Sequence, residues 1–285
     1  MSEKTDKNIE AQLTELTLGK ETEYSSSYQP DLLQLVPRSL TRQTLGLDLA
    51  SPLPFVGYDL WTGYEMSWLN SKGKPQVAIA EFKFDFSTEA LVESKSFKLY
   101  LNSFNQTQFD SIFDVENTLT KDLSEKTQSQ VEVQLFELDA YTEKGITSFN
   151  KSHCIDDLDI EVSQYGYDAS LLHIESDNIV EQKLHSHLLK SNCLITNQPD
   201  WGSVYIEYKG KKINEASLLK YLISFRDHNE FHEHCVERIY TDLHQLLKPE
   251  KLTVYARYTR RGGLDINPIR SNEPVFMPWH RLARQ

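Results

Sequence analysis

The chain has 285 residues, long enough for one large domain or two ordinary ones, and its 39% hydrophobic and 11% aromatic content is typical of a globular protein. Its formal net charge of -12 argues against direct binding to a nucleic acid backbone, because that binding needs clustered Lys and Arg. No apolar run approaches the length that crosses a bilayer, so no membrane partner is expected. The three cysteines, Cys154, Cys193 and Cys235, come without a signal-peptide pattern and predict reduced thiols in the cytoplasm.

The first half of the chain predicts strands, then helices, then a strand. Residues 1–45 are predicted to form a flexible tail, since their first part is mostly Glu, Lys, Ser and Thr. Alternating apolar and charged residues predict strands, and apolar residues at helical spacing predict helices. These predicted elements are a strand at 77–86 with a hairpin partner at 65–70, helices at 96–104 and 109–123, and a strand at 131–138.

The second half repeats that order, with a strand at 204–209, a helical region at 217–247 and a strand at 252–258. Some residues repeat as well. Tyr100-Leu-Asn-Ser-Phe104 lines up with Tyr221-Leu-Ile-Ser-Phe225, and Asp122 lines up with Asp242. Self-similarity at a fixed offset indicates duplicated units. We therefore predict an α+β protein with two copies of one unit, at 46–145 and 146–285.

Cys193 and Asp200 form the most distinctive pair of residues, because a thiol is followed seven positions later by a carboxylate across a Pro-marked turn. Such a pair can act as a nucleophile with its proton acceptor. A buried, inert cysteine before a loop is the alternative that spacing alone leaves open.

The two copies differ where chemistry is expected. The first copy has no cysteine and acid at the positions that correspond to Cys193 and Asp200. Its predicted helices are preceded by Glu93-Ser94-Lys95. The second copy has Asn214-Glu215 at the corresponding position, without cationic residues. Each copy is therefore predicted to keep a different part of one divided site.

The run from Glu93 to Tyr100 resembles the signature of the QueF nitrile reductases, and the run from Cys193 to Trp201 resembles their catalytic segment. The resemblance covers both copies and implies reduction of the nitrile of 7-cyano-7-deazaguanine to an aminomethyl group by NADPH, a step in queuosine tRNA modification. It also implies tandem tunnelling-fold domains, each an antiparallel four-stranded sheet with two helices on one face, in a homodimer that does not bind nucleic acid directly.

The resemblance implies a role for each site residue. Cys193 would add to the nitrile as a covalent thioimide, and Asp200 would take the thiol proton and pass it on. Because imidazole exchanges protons near neutral pH, His232 would protonate the developing amine. Glu233 and Glu93 would accept hydrogen bonds from the small-molecule heterocycle. The predicted substrate-binding residues are Val92, Glu93, Ser94, His232 and Glu233.

The predicted cofactor, NADPH, has no visible dinucleotide-binding motif, because none of the glycines forms Gly-x-Gly-x-x-Gly. Cationic side chains and a glycine turn are therefore expected to hold its phosphates. The resemblance points to Ser94, Lys95, Arg261 and Gly262.

Three alternatives remain open at this stage. His228 and His232 are four residues apart in a run predicted to be helical, beside His234 and Cys235 and with His185 and His187 upstream. A zinc-dependent pterin or GTP cyclohydrolase of the same fold uses Cys and His ligands. A Cys-dependent nitrile hydrolase would share the nucleophile but need no reductant. A module that only sequesters a purine-like base would need no reactive thiol. We predict no metal.

Overall fold

The computed structural model describes residues 25–47, 50–275 and 281–285. The chain forms two compact units. The described residues of unit 1 lie within Met1–Leu49, Leu60–Lys144 and Arg261–Leu264. Those of unit 2 lie within Ala50–Asp59, Gly145–Arg260 and Asp265–Gln285.

Unit 1 is built from a small sheet, a short strand pair and its helices. In its sheet, strand β3 lies between β2 and β5, and β1 pairs with β4 in antiparallel fashion. Unit 1 contains β1 (Leu35–Pro37), α1 (Arg38–Arg42), β2 (Val56–Leu69, from Leu60 on), β3 (Pro75–Asp85), β4 (Ala90–Val92), α2 (Ser94–Asn102), α3 (Ile112–Thr127), β5 (Val131–Phe136) and α4 (Leu138–Thr142). Single 3-10 turns cover Pro30–Leu32 and Gln43–Leu45.

Aromatic side chains fill the core of unit 1. Phe82 and Phe84 lie on one face of β3, because side chains two residues apart in a strand point the same way. The ring of Phe97, from α2, meets Phe82 edge-on at 4.9 Å between centroids and Trp61 at 5.4 Å. All of these side chains are buried. The alternating apolar residues of β3 and the apolar residues at helical spacing in α2 therefore pack into the same core.

The main sheet of unit 2 has the strand order β12-β11-β10-β8-β7, and β9 also pairs with β10. Neighbours are antiparallel except β7 and β8, which are parallel. Unit 2 contains β6 (Ile146–Thr147), β7 (His153–Cys154), β8 (Ile174–Ser186), β9 (Lys190–Asn192), β10 (Pro199–Ile213), α5 (Glu215–Ile223), α6 (His232–Leu247), β11 (Lys251–Tyr258), β12 (Leu264–Ser271, from Asp265 on) and β13 (Arg281–Leu282). Single 3-10 turns cover Ala169–Leu171 and Ser224–Asp227.

A buried ionic cluster lies in the core of unit 2. The guanidinium of Arg270, which is fully buried, lies 2.8 Å from Oδ1 of Asp59 and 2.8 Å from Oε1 of Glu237. It also donates to the backbone oxygens of Tyr58 and Ile269. Burial by itself lowers the pKa of Arg270, but the two carboxylates outweigh that effect and raise it, so the charge is fixed.

The internal repeat predicted from the sequence is present in the hydrogen bonds of the two units. In unit 1, Oδ2 of Asp122 accepts from the hydroxyl of Tyr100 at 2.6 Å and from that of Tyr28 at 2.6 Å. In unit 2, Oδ2 of Asp242 accepts from Tyr221 at 2.5 Å and from Tyr167 at 2.9 Å. The aligned residues therefore make the same hydrogen bonds in both units. Tyr28 and Tyr167 extend the repeat upstream of the matches seen in sequence.

The helix starts repeat in the same way. Glu93 is the N-cap of α2 and accepts from the N–H groups of Lys95 and Ser96, and Asn214 is the N-cap of α5 and accepts from that of Ser217. Ser96 and Ser217, three residues after the caps, each donate back to the backbone oxygen of the cap residue at 2.7 Å. The two caps thus share this reciprocal pair of hydrogen bonds, although one is a carboxylate and the other a neutral amide.

Part of the segment predicted as a flexible tail is folded. Residues 25–45 include β1, which pairs with β4, and Tyr28, which is bound to Asp122. These contacts bury Leu33 and Val36, so this stretch belongs to unit 1. For residues 1–24, which lie outside the described residues, the tail stays a prediction.

The fold is mixed α+β, with mostly antiparallel sheets, as the sequence predicted. Within the described residues, no helix is both long and apolar enough to cross a membrane.

Candidate active site

Cys193 lies at the tip of a tight hairpin in unit 2. Strands β9 and β10 pair with Asn192 opposite Pro199 and Ser191 opposite Asp200. The N–H of Cys193 donates to the oxygen of Gln198 at 2.8 Å, and the N–H of Asn197 donates to the oxygen of Cys193 at 3.1 Å. The turn is possible because Asn197 adopts a positive φ of 56°, which Asn tolerates better than most residues.

The hairpin register places Cys193 and Asp200 on one face. Residues directly opposite each other in an antiparallel pair share a face, and so do residues two apart along a strand. Because Ser191 faces Asp200, Cys193 is the diagonal neighbour of Asp200, about 7–8 Å away between Cα atoms. The register thus puts the predicted thiol and carboxylate on one face as diagonal neighbours, for a local, backbone reason.

Asp200 is buried and pairs with an imidazole. Its Oδ1 lies 3.3 Å from Nε2 of His232, and only 3% of Asp200 is exposed. The imidazole is held edge-on to the ring of Tyr258, with centroids 4.3 Å apart. Cys193, by contrast, is only half-buried. The arrangement therefore combines an accessible sulfur with a shielded carboxylate and imidazole.

The loop before His232 is bound to the edge of the hairpin. The N–H of Asn192 donates to the oxygen of His228 at 2.8 Å, and the N–H of Glu230 donates to the oxygen of Asn192 at 2.9 Å. These bonds fix the start of α6 against β9. They also correct the predicted helical region at 217–247, because residues 228–231 are not helical and the backbone of His228 and Glu230 bonds to Asn192 of β9.

Glu230 organises this loop. Its Oε1 lies 3.1 Å from Nε2 of His228 and 2.9 Å from Nδ1 of His234, and it accepts from Nε of Arg238 at 2.7 Å. Burial by itself raises the pKa of Glu230, but the field of His234, the hydrogen bonds of both imidazoles and Arg238 outweigh it, so the pKa lies well below its usual value. The carboxylate therefore stays ionised.

This cluster changes the interpretation of the histidine run. His228 precedes α6, so it does not share a helical face with His232, contrary to the sequence-based prediction. His228 and His234 both contact Glu230. Cys235 is fully buried, and burial, followed by the charge of Glu230, raises the pKa of its thiol, which keeps it protonated. Within the described residues, the run offers no group of three ligand atoms close enough for one metal ion.

Glu233 is the second residue of α6 and is buried. A carboxylate is favoured in the first turn of a helix, because the free N–H groups there carry partial positive charge. Cys193, Asp200, His232 and Glu233 therefore all belong to unit 2, on two elements joined by the backbone of Asn192.

The other predicted substrate-binding residues lie in unit 1. Val92 ends β4, Glu93 caps α2 and Ser94 begins that helix. Oε1 of Glu93 accepts from the N–H of Lys95 at 2.8 Å, and Oε2 accepts from that of Ser96 at 2.7 Å. Each carboxylate oxygen has a second lone pair, so capping does not exhaust its capacity to accept.

Arg261 and Gly262, two of the predicted cofactor residues, form a tight turn in unit 1. Arg261 and Leu264 exchange backbone hydrogen bonds, and Gly262 and Gly263 have positive φ values of 56° and 70°. A cavity of about 200 Å³ opens beside this turn. Its lining consists of Gly63, Glu65, Lys98, Leu101, Asn102, Asn105, Gly262, Gly263 and Leu264.

A cation that was not identified from the sequence faces the same turn. A Cβ placed on Gly262 would lie 3.3 Å from Cδ of Lys98 and 3.6 Å from its Nζ. Lys98 is one helical turn after Ser94 and Lys95 on α2. Residues three or four apart in a helix lie on the same face, so this spacing could have identified Lys98 as a third residue of the predicted phosphate site. Tyr258 and the organising role of Glu230 were also missed, because both depend on contacts between residues far apart in sequence.

Comparisons with known proteins identify the family of this chain. Residues 24–135 match a family model described as nitrile reductase, 7-cyano-7-deazaguanine-reductase N-term, and residues 199–275 match one described as QueF-like protein. The chain is 59% identical over 279 residues to the NADPH-dependent 7-cyano-7-deazaguanine reductase of Colwellia psychrerythraea strain 34H, covering 96% of this chain and 97% of that protein.

A solved structure, the archaeosine synthase QueF-Like in the apo form, is 18% identical, covers 36% of this chain and 100% of its own, and superposes with a TM-score of 0.30. That similarity is too low to carry a conclusion. The sequence comparisons do not favour the cyclohydrolase or hydrolase alternatives. Two family models and a relative this similar over nearly the whole chain establish that the protein belongs to the QueF family of nitrile reductases.

Proposed function

We propose that the chain reduces the nitrile of 7-cyano-7-deazaguanine to the aminomethyl group with NADPH, through a covalent thioimide on Cys193, as a step in queuosine tRNA modification. The name of the relative from Colwellia psychrerythraea supports the reaction and its cofactor. The placement of Cys193 and Asp200 on one face of a hairpin, with Asp200 against His232, is the observation that carries the mechanism.

The proposed reaction has two stages, which are addition of the Cys193 thiol to the nitrile and reduction of the resulting thioimide. The Cys193 sulfur bonds to the nitrile carbon, and the thiol proton passes through Asp200 to the nitrile nitrogen, so no atom is lost when the thioimide forms. When bound, NADPH supplies hydride, and two NADPH with two protons account for the conversion of nitrile to amine. His232 delivers a proton to the nitrogen as the amine develops, and Cys193 is regenerated as a thiol.

Carboxylates are proposed to recognise the heterocycle. The ring presents an N1–H and a 2-amino group, two donors that suit the two oxygens of one carboxylate, and charge-assisted bonds of this kind contribute about 1.5–3 kcal/mol each. Glu233 is proposed for this role because it is buried in the first turn of α6. The roles of Val92, Glu93 and Ser94 in substrate binding stay predictions.

The cofactor phosphates are proposed to bind at the Arg261–Gly262 turn. The residues there fit a phosphate, because two glycines with positive φ allow close backbone approach and Lys98 supplies a cation on the facing helix. Arg261 adds a guanidinium that can bind phosphate in a bidentate manner. The contributions of Ser94 and Lys95, at the start of that helix, stay predictions.

Each unit is further proposed to adopt the tunnelling fold, and the protein to work as a cytoplasmic homodimer. The α+β content, the antiparallel strands and the repeated Tyr–Asp bonds support the tandem arrangement. The three cysteines are free, which suits a reducing compartment.

Intact mass spectrometry of the protein mixed with 7-cyano-7-deazaguanine, without NADPH, tests the mechanism. The expected adduct has the summed mass of protein and nitrile, because addition of S–H across the triple bond expels nothing. The adduct should be absent in Cys193→Ala and unchanged in the matched variant Cys154→Ala.

An adduct that survives in Cys193→Ala would place the nucleophile elsewhere. Substrate-dependent loss of NADPH absorbance without any adduct in the wild-type protein would argue for direct hydride transfer. Product formation without loss of NADPH absorbance would exclude NADPH-dependent reduction as the reaction of this protein.

A further inference from the structure

A second cluster of chemically active side chains lies in unit 2, formed by residues that the proposed reaction does not use. Sγ of Cys154 and a ring nitrogen from each of His185 and His187 all lie within 4.8 Å of one another. All three residues are half-buried, so they are organised by the protein and still reachable from solvent. Among the residues that the structure describes, this is the one group of three such ligand atoms.

The backbone explains why the three meet. Strand β7 runs parallel to β8 with Cys154 opposite His185, and the N–H of Ile155 donates to the oxygen of His185 at 3.0 Å. His187 follows His185 by two residues, so both imidazoles leave the same face of the chain. The cluster therefore results from strand register and not from flexible side chains that happen to be close.

Each imidazole is held by its Nδ1, which leaves Nε2 for another partner. Nδ1 of His185 lies 2.8 Å from Oγ of Ser152, and Nδ1 of His187 lies 2.8 Å from Oγ of Ser203. The ring of Phe149 stacks on His187 with an interplanar angle of 3° and meets His185 at 5.6 Å. Histidines that bind metals have this arrangement, in which a hydrogen bond at the other ring nitrogen fixes the tautomer and the ring orientation.

The neutral form of His185 suits a cation, whereas the Cys154 thiol must lose a proton to bind one. Burial, followed by the charge of His187, lowers the pKa of His185, which favours the neutral imidazole that a metal requires. Burial raises the pKa of the Cys154 thiol, so a metal must displace its proton. Asp156 accepts from the N–H of His187 at 3.0 Å and places a carboxylate beside the cluster.

We propose that Cys154, His185 and His187 bind one Zn²⁺ through one sulfur and two Nε2 atoms, with the fourth tetrahedral position open to water. Thiolate and imidazole suit Zn²⁺, whereas Mg²⁺ and Ca²⁺ prefer oxygen ligands. On binding, a zinc–sulfur bond forms as the S–H bond breaks, and the proton leaves to solvent. The proposed ligands do not include the nucleophile Cys193, and the ion would join the edge strand β7 to β8.

Cobalt binding to the purified full-length protein, after chelation and dialysis, tests this site. We expect one Co²⁺ per chain, with a thiolate-to-cobalt absorption in the near ultraviolet, the visible bands of a tetrahedral ion, and displacement of both by Zn²⁺. Titration in weak buffer should show proton release. Cys154→Ser should lose the thiolate absorption, and His185→Gln with His187→Gln should weaken binding at least about tenfold.

Two variants serve as controls. His153→Gln changes the neighbouring residue of the same strand, whose Nε2 lies 3.3 Å from Glu215, and should bind cobalt like the wild-type protein. Cys193→Ala should also retain the thiolate absorption, which separates this site from the reactive sulfur and from any failure of the proposed reaction.

Circular dichroism and thermal melting of the metal-free variants would show that they are folded. The proposal is overturned if the wild-type protein binds no stoichiometric cobalt. It is equally overturned if folded Cys154→Ser keeps the thiolate absorption, or if the folded double-histidine variant binds with undiminished affinity.

Discussion

His232 lies 3.3 Å from Asp200, Nε2 to Oδ1, and this contact joins the first residue of α6 to the second residue of β10. The carboxylate that shares a hairpin face with Cys193 thus lies next to an imidazole. In the proposed mechanism, a proton that Asp200 takes from the thiol has a second exchangeable group, His232, beside it.

Replacement of the carboxylate tests that route. Asp200→Asn keeps the shape of the side chain but removes the proton acceptor, so kcat/KM for the nitrile should fall by about 10²–10⁴-fold. Adduct formation on Cys193, followed by intact mass spectrometry, should slow by a similar factor. Asp177→Asn, at an exposed residue paired with Lys211, should leave both rates unchanged. Equal adduct rates in wild type and Asp200→Asn would exclude Asp200 as the acceptor.

The buried ionic cluster around Arg270 predicts a large stability effect. Arg270→Met removes the guanidinium that compensates the buried carboxylates of Asp59 and Glu237, and the free energy of unfolding should fall by about 3–5 kcal/mol. Lys83→Met, which removes an exposed pair with Glu132, should cost about 0–1 kcal/mol. Chemical denaturation measures both, and similar losses in the two variants would contradict the argument from burial.

Glu230 predicts a pH dependence of stability with a definite sign. Its pKa in the folded protein lies well below the ordinary value of 4.5, so its stabilisation is present above that value and is lost as pH falls toward the folded pKa. The stability advantage of wild type over Glu230→Gln should therefore be largest at neutral pH and shrink below about pH 4.5.

Urea denaturation across this pH range measures that difference. The matched substitution Glu132→Gln, at an exposed carboxylate, should show little difference from wild type at any pH. An advantage for wild type that grows on acidification would contradict the assigned direction.

The turn at Arg261 predicts cofactor preference. If this guanidinium binds the phosphate that distinguishes NADPH from NADH, its loss removes a charge-assisted contact. Arg261→Ala should raise KM for NADPH by about 10–100-fold and change KM for NADH much less. Lys251→Ala, at an exposed lysine paired with Glu273, should alter neither value. An unchanged ratio of the two KM values would show that another cation binds the phosphate that distinguishes NADPH from NADH.

Local patterns determined much of this protein. Alternating apolar residues identified strands such as β3, and helical spacing identified α2 and α3, because both patterns reflect which side of an element is buried. The duplicated Tyr100–Asp122 and Tyr221–Asp242 bonds follow from residues that repeat in the sequence. The sequence spacing of Cys193 and Asp200 corresponds to a hairpin that brings their two strands together, and the catalytic role of the pair stays a prediction.

Only the tertiary structure decided the contacts between distant segments. The break before α6 depends on β9 binding the backbone of His228 and Glu230, and helical spacing carries no signal of that competition. The proposed metal-ligand cluster depends on the parallel register of Cys154 with His185, a pairing of two successive strands that no local pattern in the sequence indicates. Local sequence specifies which face of an element is buried, but the register and partner of each element are set by long-range packing.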